Sequence, residues 1–217
     1  MAETKTVVHL MRHGEVYNPD GILYGRLPGF RLSDLGQKMA ERVADHLADH
    51  DVRAVVASPL QRAQETAAPI ASRHDLEVAT DERLIEAANF FEGKKFSVGD
   101  GVLKRPAVWF KLWNPMKPSW GEPYKEQVKR MHAALHDAAQ LAPGHEVVLV
   151  SHQLPIWISR LAAENRSFLH DPRKRECTLA SLTSFEFIGG RITAVRYSEP
   201  AKDLLPVKNT KKFVAGA

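Results

Sequence analysis

The sequence holds a single cysteine, Cys177, among its 217 residues. An internal disulfide framework and a cysteine-based zinc site are therefore excluded. No apolar run approaches the roughly 18 residues of a membrane helix, and the start MAETKTVVHLM does not have the layout of a signal peptide. Internal repeats and low-complexity tracts are also missing. We therefore expect a globular protein of the cytoplasm that does not contact membranes.

The charge balance is only mildly basic. Thirty Lys and Arg residues face 26 Asp and Glu residues, which gives a formal net charge of +4. The two signs are interspersed along most of the chain, so no basic stripe typical of nucleic-acid binding is present. We expect no nucleic-acid partner, and a small anionic ligand fits this balance better.

Short apolar segments alternate with helical patterns along the chain. Strands are predicted at residues 6–11, 53–57, 76–80 and 146–150, and helices at 33–47, 60–73, 125–141 and 155–163. Two more strands, 184–188 and 191–197, flank Gly189 and Gly190, a typical hairpin turn. This order predicts an α/β fold: a three-layer sandwich with a mostly parallel central sheet, helices on both faces and a C-terminal antiparallel hairpin edge.

Composition divides the chain into three parts. Residues 1–198 are predicted to form a single α/β domain, and residues 199–217 a polar C-terminal tail. Within the domain, residues of about 90–124 form an insertion that holds three of the four tryptophans, Trp109, Trp113 and Trp120. Because this segment lies between Glu86 and the helix predicted from Lys125, we interpret it as a lid over the strand ends that shapes substrate choice. Packing of its aromatic residues into a small subdomain is the alternative, and both can hold.

Reactive side chains directly follow the predicted strands. They are two arginines, two histidines and one glutamate: Arg12, His13, Arg62, Glu86 and His152. Parallel sheets bind ligands at the carboxyl ends of their strands, so we expect these side chains to lie together. Two guanidinium groups can hold a phosphate, an imidazole can attack phosphorus, and a carboxylic acid can protonate the leaving alkoxide. The set therefore predicts phosphoryl transfer from a monoester.

Five motifs in order resemble the phosphoglycerate-mutase-like branch of the histidine phosphatase superfamily. They are LMRHGE at residues 10–15, LSDLGQ at 32–37, ASPLQRAQETA at 57–67, RLIE at 83–86 and LVSHQLPI at 149–156. The resemblance implies that His13 is the nucleophile and Glu86 the proton donor. It further implies that Arg12, Arg62 and His152 bind the phosphate, with His152 most useful as an imidazolium.

The sequence departs from the family pattern at two positions. Asn18 stands five residues after His13, where the family usually has an Asn at the sixth, and we predict that it contacts the phosphate. Gln153 replaces the usual glycine after the second histidine, so its side chain is predicted to narrow the pocket or to reach the substrate. In the insertion, Lys94 and Lys95 are candidates for contacting an anionic substrate.

Alternative acids and sites are weaker. Glu15 and Glu92, and then Glu82, are alternatives to Glu86 as the acid. A serine nucleophile at Ser151 is disfavoured because no G-x-S-x-G motif is present.

Two histidine pairs have the i, i+4 spacing that can bind a metal: His46 with His50 and His132 with His136. Neither pair has the carboxylate of the H-E-x-x-H motif, and we interpret all four as exposed helix residues. Because the arginines and His152 supply the positive charge that Mg²⁺ would otherwise provide, we expect no metal and no other cofactor.

The leading hypothesis is a metal-independent phosphatase that hydrolyses phosphomonoesters through a phosphohistidine on His13. Two alternatives stay open: a phosphomutase similar to phosphoglycerate mutase, and a non-catalytic regulatory protein that binds a phosphorylated ligand. A phosphorylated small molecule is the expected partner. The sequence does not decide the oligomeric state, and a homodimer is one of the options.

Overall fold

Six strands and four helices alternate in the computed structural model, which describes residues 4–89, 92–93 and 121–205. The strands are β1 (Thr6–Arg12), β2 (Val52–Ala57), β3 (Val78–Thr80), β4 (Glu146–Ser151), β5 (Leu182–Ile188) and β6 (Arg191–Ser198). The helices are α1 (Asp34–Leu47), α2 (Gln61–Arg73), α3 (Tyr124–Leu141) and α4 (Gln153–Ala163). Among the described residues, no helix is both long and apolar enough to span a bilayer.

The sheet has the strand order β3-β2-β4-β1-β5-β6. The first four strands in this order pair in parallel, whereas β5 pairs antiparallel with β1 and β6 antiparallel with β5. The predicted α/β fold with an antiparallel hairpin edge is confirmed. In the pairing of β1 with β4, Arg12 lies opposite Ser151, so the residues that follow these strands, His13 and His152, emerge side by side.

Alternation along β1 explains the three layers. Val8 and Leu10 point into one apolar core, and Met11 points into the other. The first core also contains residues of α3 and α4, and the second contains residues of α1 and α2. Because successive side chains of a strand face opposite sides, a strand buried on both faces needs apolar residues at nearly every position.

Local signals set the element boundaries. The Ser33 hydroxyl accepts a hydrogen bond from the Gly36 N–H at 3.0 Å and so caps α1. Gly189 and Gly190 have φ angles of 58° and 74°, the left-handed conformation that a tight hairpin turn requires. The third strand is shorter than predicted, since only Val78–Thr80 pair with β2.

Only the borders of the predicted insertion belong to the described residues, namely 92–93 and 121–124. The lid therefore stays a prediction, as does the division of the chain into one domain and a tail. The first part of the predicted tail packs on α1. Ala201 is buried, Leu204 and Leu205 contact the core beneath, and Arg42 forms an ion pair with Asp203 at 2.8 Å.

Candidate active site at the carboxyl edge of the sheet

The end of β1 places Arg12 and His13 in the interior of the protein, where they expose 3% and 2% of their surface. The backbone N–H of His13 donates to the Ser151 carbonyl at 3.2 Å, which ties the residue to β4. Its ring Nδ1–H donates to the Gly14 carbonyl at 2.8 Å. This hydrogen bond leaves the lone pair on Nε2, so Nε2 is the nitrogen available for attack.

Two glycines allow α1 to lie against the loop of His13. A side chain on Gly14 would place its Cβ 2.5 Å from the Gly36 carbonyl oxygen, and one on Gly36 would overlap the backbone of Glu15. The Ser33 hydroxyl also donates to the Glu15 carboxylate at 2.5 Å. The HGE and LSDLG motifs therefore contact each other directly. The Glu15 carboxylate accepts a hydrogen bond from Ser33, the residue that caps α1.

Arg62 lies in the first turn of α2 and exposes only 1% of its surface. Its Nη2 donates to the Gly25 carbonyl at 2.6 Å, and its guanidinium lies 4.7 Å from the ring centroid of Tyr24. One turn later, the Thr66 hydroxyl accepts from the Gly14 N–H at 3.1 Å. These contacts fix α2 to the loop that carries His13.

His152 is the N-cap residue of α4 and is fully buried. Its Nδ1 lies 3.3 Å from Arg62 Nη2, and its Nε2 lies 2.8 Å from the Ser58 hydroxyl. Because a guanidinium can only donate, Nδ1 accepts and Nε2 carries the proton. The His152 and His13 rings are 5.1 Å apart between centroids, so the two predicted histidines share one pocket.

Both imidazoles are held neutral. Burial lowers the pKa of His13 well below its usual value, and the nearby Arg62 and Arg12 lower it further. Burial is also the main cause that lowers the pKa of His152, followed by Arg62 and His13. A neutral His13 agrees with a nucleophilic role. Burial and the neighbouring cations likewise favour the neutral form of His152, and its role as an imidazolium stays a prediction.

The segment that carries Glu86 is fixed from two sides. The Ser151 hydroxyl donates to the Leu84 carbonyl at 2.7 Å, and Arg26 Nε donates to the Glu86 carbonyl at 2.6 Å. The Glu86 carboxylate accepts from the Ala87 N–H at 2.8 Å. Burial raises the pKa of Glu86, although this hydrogen bond, Arg62 and Arg12 act in the opposite direction. A raised pKa favours the protonated acid that a proton donor needs.

A half-buried ion network supports the same segment and was not predicted. Glu122 accepts from both Arg26 and Arg130, at distances between 2.7 and 3.1 Å. Arg130 also donates to the Arg83 carbonyl, next to the Glu86 segment. This network joins the loop after β1 to α3 and so limits the positions that Glu86 can take.

Three buried guanidinium nitrogens of Arg12 and Arg62 have no hydrogen-bond partner in the part of the chain that the structure describes. Arg12 Nη1 donates to the Cys177 carbonyl at 2.7 Å. Within the described ranges 4–89, 92–93 and 121–205, no acceptor lies within hydrogen-bond distance of Arg12 Nε, Arg12 Nη2 or Arg62 Nε. Buried donors are nearly always satisfied in native proteins. Two buried cations with unused donors beside a neutral imidazole are the features of an oxyanion pocket.

Arg175 is a further cation at this edge that the sequence analysis placed in no site. Its Nη1 donates to Gln153 Oε1 at 3.2 Å, and its Nε contacts His170 Nε2 at 2.9 Å. Gln153 Nε2 in turn lies 3.5 Å from the Cys177 carbonyl to which Arg12 donates. Burial lowers the pKa of Arg175, and Tyr124 and Glu86 oppose this effect. Gln153 thus connects Arg175 to the wall of the phosphate pocket.

The contacts predicted for Asn18, Lys94 and Lys95 stay predictions. Asn18 uses its side-chain amide within a turn, donating to the Ile22 carbonyl at 2.8 Å and accepting from the Ile22 N–H at 3.0 Å. Its contact with phosphate stays a prediction. Lys94 and Lys95 lie outside the described residues.

The sequence as a whole identifies the class of protein. A profile of the Histidine phosphatase superfamily (branch 1) matches residues 8–200. The chain therefore belongs to this superfamily.

Two curated proteins are similar to more than two thirds of this chain. The uncharacterized protein Rv0525 of Mycobacterium tuberculosis is 59% identical over 197 residues, which cover 91% of this chain and 98% of that protein. The probable phosphoglycerate mutase GpmB of Yersinia pestis is 30% identical over 155 residues, which cover 69% of this chain and 70% of GpmB.

Solved structures share the fold. Bacillus stearothermophilus YhfR superimposes with a TM-score of 0.75 at 22% identity, covering 92% of this chain and all of that one. Mycobacterial glucosyl-3-phosphoglycerate phosphatase Rv2419c gives a TM-score of 0.66 at 24% identity, covering 90% of this chain and 96% of that one.

Proposed function

We propose that this protein hydrolyses phosphomonoesters through a phosphohistidine formed on His13. The observation that carries the proposal is the set of unused guanidinium donors of Arg12 and Arg62 beside the neutral His13 ring. A phosphate dianion offers oxygen acceptors and negative charge to such donors. A bound phosphoryl group would also offset the unfavourable burial of two cations.

In the first step, His13 Nε2 attacks phosphorus and the ester P–O bond breaks. Glu86 gives its proton to the leaving oxygen, so that an alcohol rather than an alkoxide departs. In the second step, Glu86 takes a proton from water while the water oxygen attacks phosphorus and the N–P bond breaks. Inorganic phosphate is released, and both His13 and Glu86 return to their starting protonation states.

Arg12, Arg62 and His152 bind the transferring phosphoryl group in this proposal. The guanidiniums stabilise the charge on its oxygens, as Mg²⁺ does in other phosphoryl-transfer enzymes. The negative charge of a bound phosphate would also raise the proton affinity of His152, which lies between the Arg62 guanidinium and the Ser58 hydroxyl. The reaction therefore needs no metal ion.

The substrate is a small phosphorylated molecule with a second acidic group. Arg175 supports this inference, because it lies at the same edge as the phosphate pocket and its hydrogen bonds go to the neutral groups of Gln153 and His170. Among the described residues, no carboxylate lies within ion-pair distance of Arg175. A substrate carboxylate or second phosphate would fit this cation.

A phosphomutase is the second candidate, since the chain is 30% identical to the probable phosphoglycerate mutase GpmB. A mutase returns the phosphoryl group from His13 to another hydroxyl of the substrate instead of to water. Incubation with 3-phosphoglycerate separates the two reactions: release of inorganic phosphate supports the phosphatase, and formation of the 2-isomer without phosphate release supports the mutase.

The experiment that tests the proposal is acid-free chemical quenching of turnover with an aryl phosphate in the presence of EDTA. We expect a phosphoenzyme that survives alkali and decays in acid, as a phosphohistidine does, and that is missing in His13→Ala. The control is His74→Ala, which changes a histidine at the end of α2. Full turnover by a folded His13→Ala variant would refute the mechanism.

A further inference from the structure

A second group of histidines lies on the sheet away from the phosphate pocket. It consists of His9 in the middle of β1, His50 in the connection between α1 and β2, and Glu146, the first residue of β4. One nitrogen from each ring and one carboxylate oxygen lie within 4.8 Å of one another. His9 precedes Arg12 by three residues, about 10 Å along the strand, and points to the opposite face of the sheet.

The two imidazoles converge on one oxygen atom. His9 Nε2 lies 2.7 Å from Glu146 Oε2, and His50 Nδ1 lies 2.8 Å from the same oxygen. His46 stands beside them, with its ring centroid 5.7 Å from that of His50. The sequence around His46 and His50 lacks the carboxylate of the H-E-x-x-H motif. Glu146 of β4 thus supplies a carboxylate from a distant part of the chain.

The His9 ring nitrogen that faces away from Glu146 has the hydrogen-bond partner that a metal-binding histidine needs. His9 Nδ1 lies 2.8 Å from the Ser184 hydroxyl of β5. In the metal-free protein Nε2 carries the proton, because the Glu146 carboxylate can only accept. When a metal ion binds, the proton moves to Nδ1, where the Ser184 hydroxyl can accept it, and the Nε2 lone pair becomes available to the ion. His9 exposes only 6% of its surface, so packing holds the ring in this orientation.

We propose that His9, His50 and Glu146 bind a zinc ion, with His46 or water as the fourth ligand. Two imidazoles and one carboxylate suit Zn²⁺, whereas Mg²⁺ and Ca²⁺ prefer oxygen ligands. Ligands bonded to tetrahedral zinc at about 2.0–2.1 Å are separated by about 3.3 Å. The two nitrogen–oxygen distances of 2.7 and 2.8 Å need to open by only about half an ångström.

The bound ion has a structural role in this proposal. It joins the end of α1 to β1 and β4, whose packing otherwise depends on the apolar core between them. Because zinc binds only when these three segments are in place, it stabilises the folded chain by an amount that grows with the logarithm of the free zinc concentration. The phosphatase reaction does not use the ion, so EDTA leaves turnover intact while removing the added stability.

The test is calorimetric titration of the metal-free full-length protein with ZnSO4, together with thermal unfolding in Zn²⁺ and in Mg²⁺. We expect one zinc per chain and a higher Tm in Zn²⁺ but not in Mg²⁺. His50→Gln and Glu146→Gln should each weaken zinc binding about tenfold or more. The matched control is His136→Gln, from the other i, i+4 pair, whose ring packs against Phe187.

The catalytic histidines could bind zinc as well, so the titration is repeated with His13→Ala. Unchanged stoichiometry and affinity in that variant show that His13 does not bind the ion. Together with weaker binding by Glu146→Gln, this result places the ion at Glu146. The proposal is overturned if zinc binding is not saturable, if His50→Gln and Glu146→Gln bind zinc as the parent protein does, or if His13→Ala alone removes it.

Discussion

The two histidine clusters of this protein differ in the charge that surrounds them. In the phosphate pocket, His13 and His152 face the guanidiniums of Arg12 and Arg62, and burial together with these cations lowers both histidine pKa values. In the second cluster, two imidazoles face one carboxylate, and hydrogen bonds from His9 and His50 lower the pKa of Glu146 to about 2. The neighbours of an imidazole, rather than its residue type, determine its chemistry.

The comparison also separates function from stability. Glu146 and its histidines satisfy one another within the folded chain, so they contribute to its stability without any ligand. Arg12 and Arg62 are buried with unused donors, which in the proposed function bind an anion instead. We therefore expect substitutions in the pocket to affect turnover and substitutions in the second cluster to affect stability.

The largest effect is expected for Arg62→Gln, which removes a phosphate-binding cation from the pocket. We predict that kcat/KM falls by about 10³-fold or more, while the free energy of unfolding does not fall. Burial lowers the pKa of Arg62, which means that the surroundings disfavour its charge. Steady-state kinetics and urea unfolding measure the two quantities. Arg73→Gln on the same helix is the control, because that side chain forms exposed ion pairs; a strong loss of stability in Arg62→Gln alone would contradict the comparison.

Glu86→Gln is expected to lower kcat by about 10²-fold or more for alkyl phosphates, which need a proton donor. The loss should be much smaller for an aryl phosphate whose leaving group departs without protonation. Since burial raises the pKa of Glu86 and the acid must hold its proton, activity on alkyl phosphates should fall as pH rises through that pKa. The pH profiles of activity on alkyl and aryl phosphates measure this fall. Glu82→Gln provides an exposed neighbouring control, and an equal loss for both substrate types would exclude Glu86 as the donor.

Arg175→Gln is expected to raise KM for 3-phosphoglycerate about tenfold, since one charge-assisted contact with the carboxylate is lost. Turnover of p-nitrophenyl phosphate, which lacks a second acidic group, should change by less than about twofold. Parallel kinetics with both substrates test the proposed position of the acidic group. Arg173→Gln serves as the control, because its guanidinium pairs with Asp171 at 2.8 Å on the surface. Equal effects on the two substrates would place Arg175 outside the substrate site.

The smallest effect is expected for Glu146→Gln in metal-free protein. Its folded pKa of about 2 lies below the unfolded value, so the ionised carboxylate contributes stability above about pH 4.5 that is lost as pH falls toward 2. Because part of the side chain contacts water, we expect a loss of only about 1 kcal/mol at pH 7. Urea unfolding at pH 7 and pH 3 should show the difference shrinking at the lower pH. Glu77→Gln, an exposed control, should change stability at neither pH.

Much of the fold was predictable because its signals are local. The Ser33 cap, the Gly189–Gly190 turn and the apolar periodicity each depend on a few neighbouring residues. The meeting of the strand ends then follows from parallel pairing, which brings His13 and His152 together. The direction of β5 offered one further signal. A strand antiparallel to β1 begins at the edge of the sheet where β1 ends. The segment before β5, which contains Arg175, therefore has to reach the edge that carries His13.

Other features depend on register, which the sequence pattern does not fix. His9 meets Glu146 because β1 and β4 pair with Val7 opposite Glu146. Likewise, Asn18 stands five residues after His13, one residue short of the usual family position, and its amide bonds the backbone of Ile22. Spacing along the chain alone could not distinguish a turn contact from a ligand contact at that position.

The absence of side chains on Gly14 and Gly36 lets α1 lie directly against the backbone beside His13. The outer surface of the same helix forms an ion pair with Asp203, 190 positions along the chain from His13. Because this pair is largely exposed, it adds little stability of its own. In the proposed mechanism, a methyl group added at either glycine would displace the nucleophile and lower turnover, although neither glycine is proposed to contact the substrate.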